Sequence, residues 1–459
     1  MPVASPDQGS PRGGLRHLSG SILSVGVSRA AQLGVIALTS VVVARIIGAS
    51  GVGTFAICHA FLLVFTVLVE LGLPQAVAYF AGREEWSGGS LAHGLIRSAF
   101  LFAIPGAAAI LAGFALLGDS LPGITWPMAA ALAAALPFSL LWRIGPQAAL
   151  AQERFEAFAL LDSAPAFLLC PAAIAGAALA GTEGAVIGLG AASVASGLAI
   201  AAWLLLVPGR DPAARPAGGA PEILRFGLKA WGSELLTQVN LRVELILVGL
   251  YAGATESGVF SVALSTTAIA WLVMAAFAVS ALPRSARLHA HSEQGLIDRL
   301  ERDERDARTI RHAVLLAPAV GVAIALLLIV GIPLFYGSAF DRSVGLGLIL
   351  LPGSLMLGVG MAAVSVLLGR GEVLRVLRVC LAVVPPTVLA CLLAIPAGGA
   401  SAAAIVAGGS YAAFTVLAIR ELWAVSGSGL RDLLVPGGPD LEDYRTLISR
   451  ALSGLRGLQ

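Results

Sequence analysis

An all-α integral membrane protein with about twelve crossings is the fold class this sequence predicts, and three observations predict it. About twelve long apolar stretches follow one another, and a hydrocarbon core about 30 Å thick needs roughly 20 helical residues per crossing. The 459 residues are 58% hydrophobic and only 12% charged, whereas about a quarter of residues are charged in a soluble domain. The loops between the stretches are alternately rich in arginine and nearly free of it.

Residues 1–17 read as a cytoplasmic tail, since they lack the basic start, apolar core and small-residue cleavage site of a signal peptide. Six crossings follow, at 18–47, 51–81, 91–117, 124–144, 158–180 and 185–207, and form an N-terminal lobe over 18–207. The stretch 208–222 holds Pro, Gly, Arg210 and Arg215, a composition that resists helix and suits a cytoplasmic linker. Six more crossings, at 223–251, 257–282, 312–335, 344–368, 373–395 and 400–423, form a C-terminal lobe over 223–425, and 426–459 is a second tail. Twelve crossings place both termini on one face. Arg83, Arg154, Arg284, Arg287, Arg370, Arg375 and Arg420 share that face, while only Arg45 and Arg342 flank the opposite loops. By the positive-inside rule both termini are cytoplasmic.

The two sets of six look like copies. At an offset of 205 residues Gly48, Ala49, Gly53 and Phe55 fall on Gly253, Ala254, Gly258 and Phe260; at 215, Pro137 falls on Pro352, Pro171 on Pro386 and Gly184 on Gly399. The charged loop between Pro283 and His312 supplies the extra ten. Copies of even helix number share one topology, so an axis along the membrane normal relates them, with substrate bound between halves that rock.

Arg45 to Phe55 resembles the glycine-rich turn near the start of polysaccharide transporters. Glu70 to Phe80 is similar to their second-helix ending, and Phe335 to Phe340 followed by Leu350 to Gly353 to their ninth-to-tenth-helix segment. The family is that of the oligosaccharide flippases, within the superfamily of the multidrug and toxin extrusion antiporters and the lipid II flippases. The resemblance implies two six-helix lobes around a central cavity and, as cargo, a polyprenyl-diphosphate-linked oligosaccharide flipped across the cell (cytoplasmic) membrane for polysaccharide biosynthesis. Implied partners are that lipid-linked oligosaccharide, membrane lipids, and the glycan polymerase and glycosyltransferases that work on the same glycan.

The residues themselves supply the site candidates, because ionisable groups inside a crossing cost about 2.5–3.5 kcal/mol each on insertion scales. Counted from the inner helix ends, Arg29 and Glu234 lie near the midplane, and the 205-residue offset makes them equivalent. Either Arg29 binds a diphosphate while Glu234 is the coupling-ion site for a proton or sodium, or the two form a structural ion pair closing the cavity, or each pairs separately with neighbouring Ser and Gln. Glu234, Gln238 and Arg242 at i, i+4, i+8 give the seventh helix a polar face, with Ser233, Thr237, Asn240 and Glu244 beside it; Gln32 belongs to a weaker version on the first helix. The substrate-binding candidates are therefore Arg29, Gln32, Glu234, Gln238 and Arg242. Arg45, Arg242 and Glu244 fall near the outer interface, and Glu70, Arg97 and Arg143 near the inner one, where snorkelling suffices.

Other classes are excluded or set second. No GxSxG, HExxH or Walker loop supports an enzyme, no cofactor or metal set is evident, and scattered arginines argue against nucleic acid. The four cysteines read as packed apolar residues. A cation-coupled multidrug antiporter is the alternative function. The charged run from Arg284 to Arg311 reads as a solvated or membrane-surface helix.

Overall fold

The structure, a computed structural model, describes residues 11–82, 89–118, 123–151, 154–206, 220–293, 298–427, 429–438 and 440. The lobe-to-lobe linker expected at 208–222 lies largely outside the described residues, as do most of both tails. The helices are α1 (Pro11–Glu70), α2 (Leu73–Gly82), α3 (Gly89–Leu117), α4 (Trp126–Ala151), α5 (Phe155–Leu206) and α6 (Ala220–Glu293). They continue with α7 (Arg299–Leu326), which runs on as a π-helical segment to Tyr336 around Pro333, then α8 (Asp341–Gly369), α9 (Val373–Val425) and α10 (Leu430–Leu434). The protein is an all-α multi-pass membrane protein: eight helices among the described residues are long and apolar enough to cross a bilayer.

Four of those eight are double. Non-helical backbone interrupts α1 at Gly48, α5 at Ala180 and Gly181, α6 at Gly253 and α9 at Gly399. Each interruption turns one long helix into two crossings, and the total becomes the expected twelve. With Gly123 between α3 and α4, and Gly337 between the π-helical segment and α8, every turn on the face opposite the termini has a left-handed glycine. Only glycine enters that region without a Cβ clash.

These six turns align the halves. Gly48 (φ 67, ψ −178) matches Gly253 (φ 87, ψ 173), and Gly181 (φ 59, ψ −137) matches Gly399 (φ 55, ψ −142). Gly123 and Gly337 make the third pair. Pro137 and Pro352 each stand 11 residues beyond the first residue of their helices, Trp126 and Asp341. The pairing of Gly184 with Gly399 needs correction, because Gly184 is helical and its partner position is taken by Gly181. Gly184 instead lets the two arms of α5 meet, since a Cβ there would lie 2.0 Å from the Gly176 carbonyl oxygen. Pro171, ten residues before Gly181, and Pro386, thirteen before Gly399, are therefore not in register.

The chain divides into two compact units, Met1–Trp231 and Gly232–Gln459. In the first, α4 is the central helix: Leu132, Leu136, Leu140, Leu141 and Ile144 are buried against Val69, Ala99, Ala103, Val186, Leu189 and Ile200. In the second, α8 packs on α9 closely enough that a Cβ on Gly353 would fall 2.6 Å from the Gly408 backbone. Small residues at such crossings permit the short interhelical distances that hold membrane bundles together. By contrast α3 and α7 have apolar windows only 22% and 17% buried, and Leu101, Ile104, Val322 and Ile329 are exposed. Apolar surface on that scale needs lipid as its solvent.

The charged run after α6 also differs from expectation. It is no separate surface helix: residues 299–311 are the first turns of α7, continuous with a crossing. One side of these turns is buried. The Arg370 guanidinium lies 2.8 Å from Asp303 and 2.7 Å from Asp306, and the Gly427 N–H donates to Asp303. Arg311 donates to Asp440 at 2.7 Å and to the Asp432 carbonyl at 2.6 Å, which draws the segment after α9 over the start of α7.

Candidate functional site

Each unit has a polar cluster inside its helices. In the first unit, Gln32 is half-buried on α1, and its amide donates to the Asp162 carbonyl of α5 at 3.3 Å. The Trp142 indole N–H of α4 donates to the same carbonyl at 3.4 Å. The shared acceptor is a backbone carbonyl, which no residue type marks in the sequence. Arg29 stands one helical turn before Gln32 on α1, so the two share a helix face. The Arg29 side chain lies outside the described residues.

Depth changes the ranking of the charged groups. Glu234 stands 19 residues before Gly253, and Arg29 stands 19 before Gly48, about 28 Å of helix in each case. That is nearly the thickness of the hydrocarbon core, so both belong near the terminus-bearing edge and not at the midplane. Glu244, nine residues before the turn at Gly253, is about 14 Å in and deep in the bilayer, not near the outer interface as expected.

On α6 the polar residues form two strips. Glu234, Gln238 and Arg242 are half-buried, whereas Ser233, Asn240 and Glu244 of the adjoining strip are buried within the second unit, with Thr237 partly so. Thr237 contacts Cys380 of α9. The Thr387 hydroxyl donates to Ser410 at 2.9 Å, and Ser410 donates to Asn240 Oδ1 at 2.8 Å, joining both arms of α9 to α6. Arg242 and Glu244, two residues apart, do not bond: Arg242 Nε and both Glu244 carboxylate oxygens are buried without a hydrogen-bond partner. A small cavity, about one water molecule in size, is lined by Thr237, Asn240, Trp271, Cys380, Val384 and Phe414.

Glu70 and Arg143 do not snorkel separately. Glu70 is fully buried at the end of α1, and Arg143 of α4 donates to both its oxygens, at 2.8 and 3.2 Å.

The model of the polysaccharide biosynthesis protein family matches residues 20–289, more than half of the chain. The chain belongs to that family. No curated protein matches it in sequence. Solved structures share the fold: the lipid II flippase MurJ in an inward closed conformation has a TM-score of 0.69 at 14% identity, covering 89% of this chain and 88% of that one. An inward-facing multidrug resistance MATE family transporter of the MOP superfamily has a TM-score of 0.63 at 18% identity, covering 85% and 93%. The MATE multidrug transporter DinF-BH has a TM-score of 0.63 at 14% identity, covering 92% and 96%. These structural neighbours are flippases and transporters, not enzymes.

Proposed function

We propose that this family member flips a polyprenyl-diphosphate-linked oligosaccharide, or a related lipid-linked glycan, across the cytoplasmic membrane by alternating access between lobes 18–207 and 223–425. The observation that carries the reading is the polysaccharide biosynthesis match over 20–289 on a fold shared with a lipid II flippase. Both termini are cytoplasmic, in keeping with the arginine asymmetry.

In this reading Arg29, near the terminus-bearing edge, meets the cargo's diphosphate as it leaves the cytoplasmic leaflet. A guanidinium makes paired hydrogen bonds to phosphate oxygens, and reduced dielectric strengthens them. Gln32, one turn deeper, orients the head group, and Glu234, Gln238 and Arg242 supply the polar face of the seventh crossing. Glu234 is the candidate for the coupling ion. Glycosyltransferases and a polymerase would load and consume the glycan.

The test is glycan export in cells expressing variants that reach the membrane. Arg29→Ala abolishes export and Arg29→Lys retains part of it. If Arg29→Ala, Glu234→Ala recovers full export, Arg29 is a packing residue and this assignment fails. A cysteine at Glu301 labelled from outside intact cells would overturn the orientation.

A further inference from the structure

The hairpin formed by the two arms of α9 carries a pair of charges that neither the fold nor the proposed function uses. Arg378 and Arg420 each stand 21 residues from the turn at Gly399, one on either arm. That is about 31 Å of helix, so both reach the terminus-bearing edge of a hydrocarbon core about 30 Å thick. Both are exposed, and both lie five residues inside the ends of α9, not in its loops. The neighbouring carboxylates are engaged elsewhere, since Arg375 donates to Glu421 at 2.9 Å and to Glu372 at 3.1 Å. Among the described residues Arg378 and Arg420 have no such partner. The repeat sets the pair apart from a general bias toward basic ends. With Gly181 on Gly399, the corresponding exposed positions on the arms of α5 are Leu160 and Ala202.

The two arginines also share a face. The Arg375–Glu421 contact marks the line along which the arms touch at this edge. At 3.6 residues per turn on antiparallel arms, Arg378 and Arg420 fall to the same side of that line. Each ends an exposed stripe, with Leu381 and Leu389 on the first arm and Ile405 and Val416 on the second. Between these arginines and the turn every exposed residue of α9 is apolar, so the stripes face lipid and not an aqueous cavity. Trp423, 47% exposed, stands one turn beyond Arg420, where an indole settles at head-group level.

We propose that the terminus-bearing edge of the α9 hairpin binds the phosphate head group of an anionic membrane phospholipid, held by Arg378 and Arg420 with its acyl chains along the Leu381 and Leu389 stripe and Trp423 beside the head group. A guanidinium makes paired hydrogen bonds to phosphate oxygens, and each basic group near an anionic leaflet strengthens attraction to it about fivefold. The lipid site does not rest on the transport reading, because the arginines face the bilayer whatever the second unit carries.

Quenching of tryptophan fluorescence by brominated lipid tests the site in the purified full-length protein. The bilayer is phosphatidylcholine with a minor fraction of either brominated phosphatidylglycerol or brominated phosphatidylcholine, and the Trp423 signal is the difference between the wild type and Trp423→Phe. Phosphatidylglycerol should quench it more strongly than phosphatidylcholine at equal fraction. Arg378→Gln and Arg420→Gln should each lower that preference about fivefold, and the double variant should remove it. Arg97→Gln, on the exposed side of α3, should leave it unchanged. Equal quenching by the two lipids in the wild type, or a preference that survives the double variant, overturns the proposal. Should the double variant fail to reconstitute, the two single variants decide by the same criterion. Millimolar inorganic phosphate, at an ionic strength matched with chloride, should not relieve the quenching; relief would make this a site for a soluble phosphate and overturn the lipid assignment. No arm of the test depends on glycan export, so failure of the lipid site and failure of the flippase reading are read separately.

Discussion

On the terminus-bearing face, among the described residues, the first unit shows one ion pair, half-buried Arg143 with buried Glu70, whereas the second shows two networks. There Arg370 bridges Asp303 and Asp306, and Arg311 bridges Glu304 and Asp440. The interiors differ in the opposite sense: the Gln32 amide and the Trp142 indole of the first unit find a common acceptor, while Glu244 of the second finds none. Backbone turns, proline positions in the fourth and tenth crossings, and the peripheral placement of α3 and α7 repeat between halves. Charges do not. Duplicated backbone thus fixes where crossings turn and pack, and charge placed afterwards distinguishes the interiors of the two halves.

Substitutions at these charges give the largest expected effects. Arg370→Ala removes the buried guanidinium shared by Asp303 and Asp306, each about 3–4% exposed, and leaves Asp303 its pair with Arg302; the loss is on the order of 3 kcal/mol. Thermal unfolding in detergent should show a marked fall, and the second unit should expose the first turns of α7 to protease first. Glu70→Ala should cost less, about 1–3 kcal/mol, because Arg143 is 23% exposed and can turn toward water. If Glu70→Ala proves the more damaging in the same assay, the contrast between a single pair and a network is wrong.

The repeated turns give a sharper test of likeness. Gly48→Ala and Gly253→Ala both place a Cβ in open space but force a side-chain residue into a glycine-only region, at about 1–3 kcal/mol each. Equal losses of thermal stability are expected. A loss at only one of the two would break the equivalence of the first and fourth turns on that face.

The smallest effect is local and depends on pH. Burial alone would raise the Asp440 carboxyl, but the Gly437 N–H and the Arg311 guanidinium outweigh it and hold the group below the usual aspartate range. Stabilisation from Asp440 is therefore complete above the unfolded aspartate pKa and fades as pH falls through the lower folded value. Hydrogen exchange over 429–438 should stay slow from neutral pH down to the ordinary aspartate range and quicken only below it. Asp440→Asn should be fast throughout. Exchange that quickens near neutral pH would assign the anchoring to another group.

By itself, the sequence determined the class, the number of crossings, the repeat and the family, because lipid admits only helices and closed barrels and continuous apolar runs of about 20 residues fit the helix. Gly48 with Gly253 and Pro137 with Pro352 were legible for the same reason: a turn or a kink is a local backbone requirement written in one residue. Tertiary structure alone decided the register of Gly181 with Gly399, which a three-residue slip hides in an alanine- and glycine-rich stretch. It decided that 299–311 belongs to a crossing helix, since alternating charge looks the same on a solvated face and on a buried ion-pair seam. It decided, too, which α6 strip is buried. Glu234 and Glu244 are both glutamates on one helix, and only the packing of α9 against α6 takes water and hydrogen-bond donors away from the second.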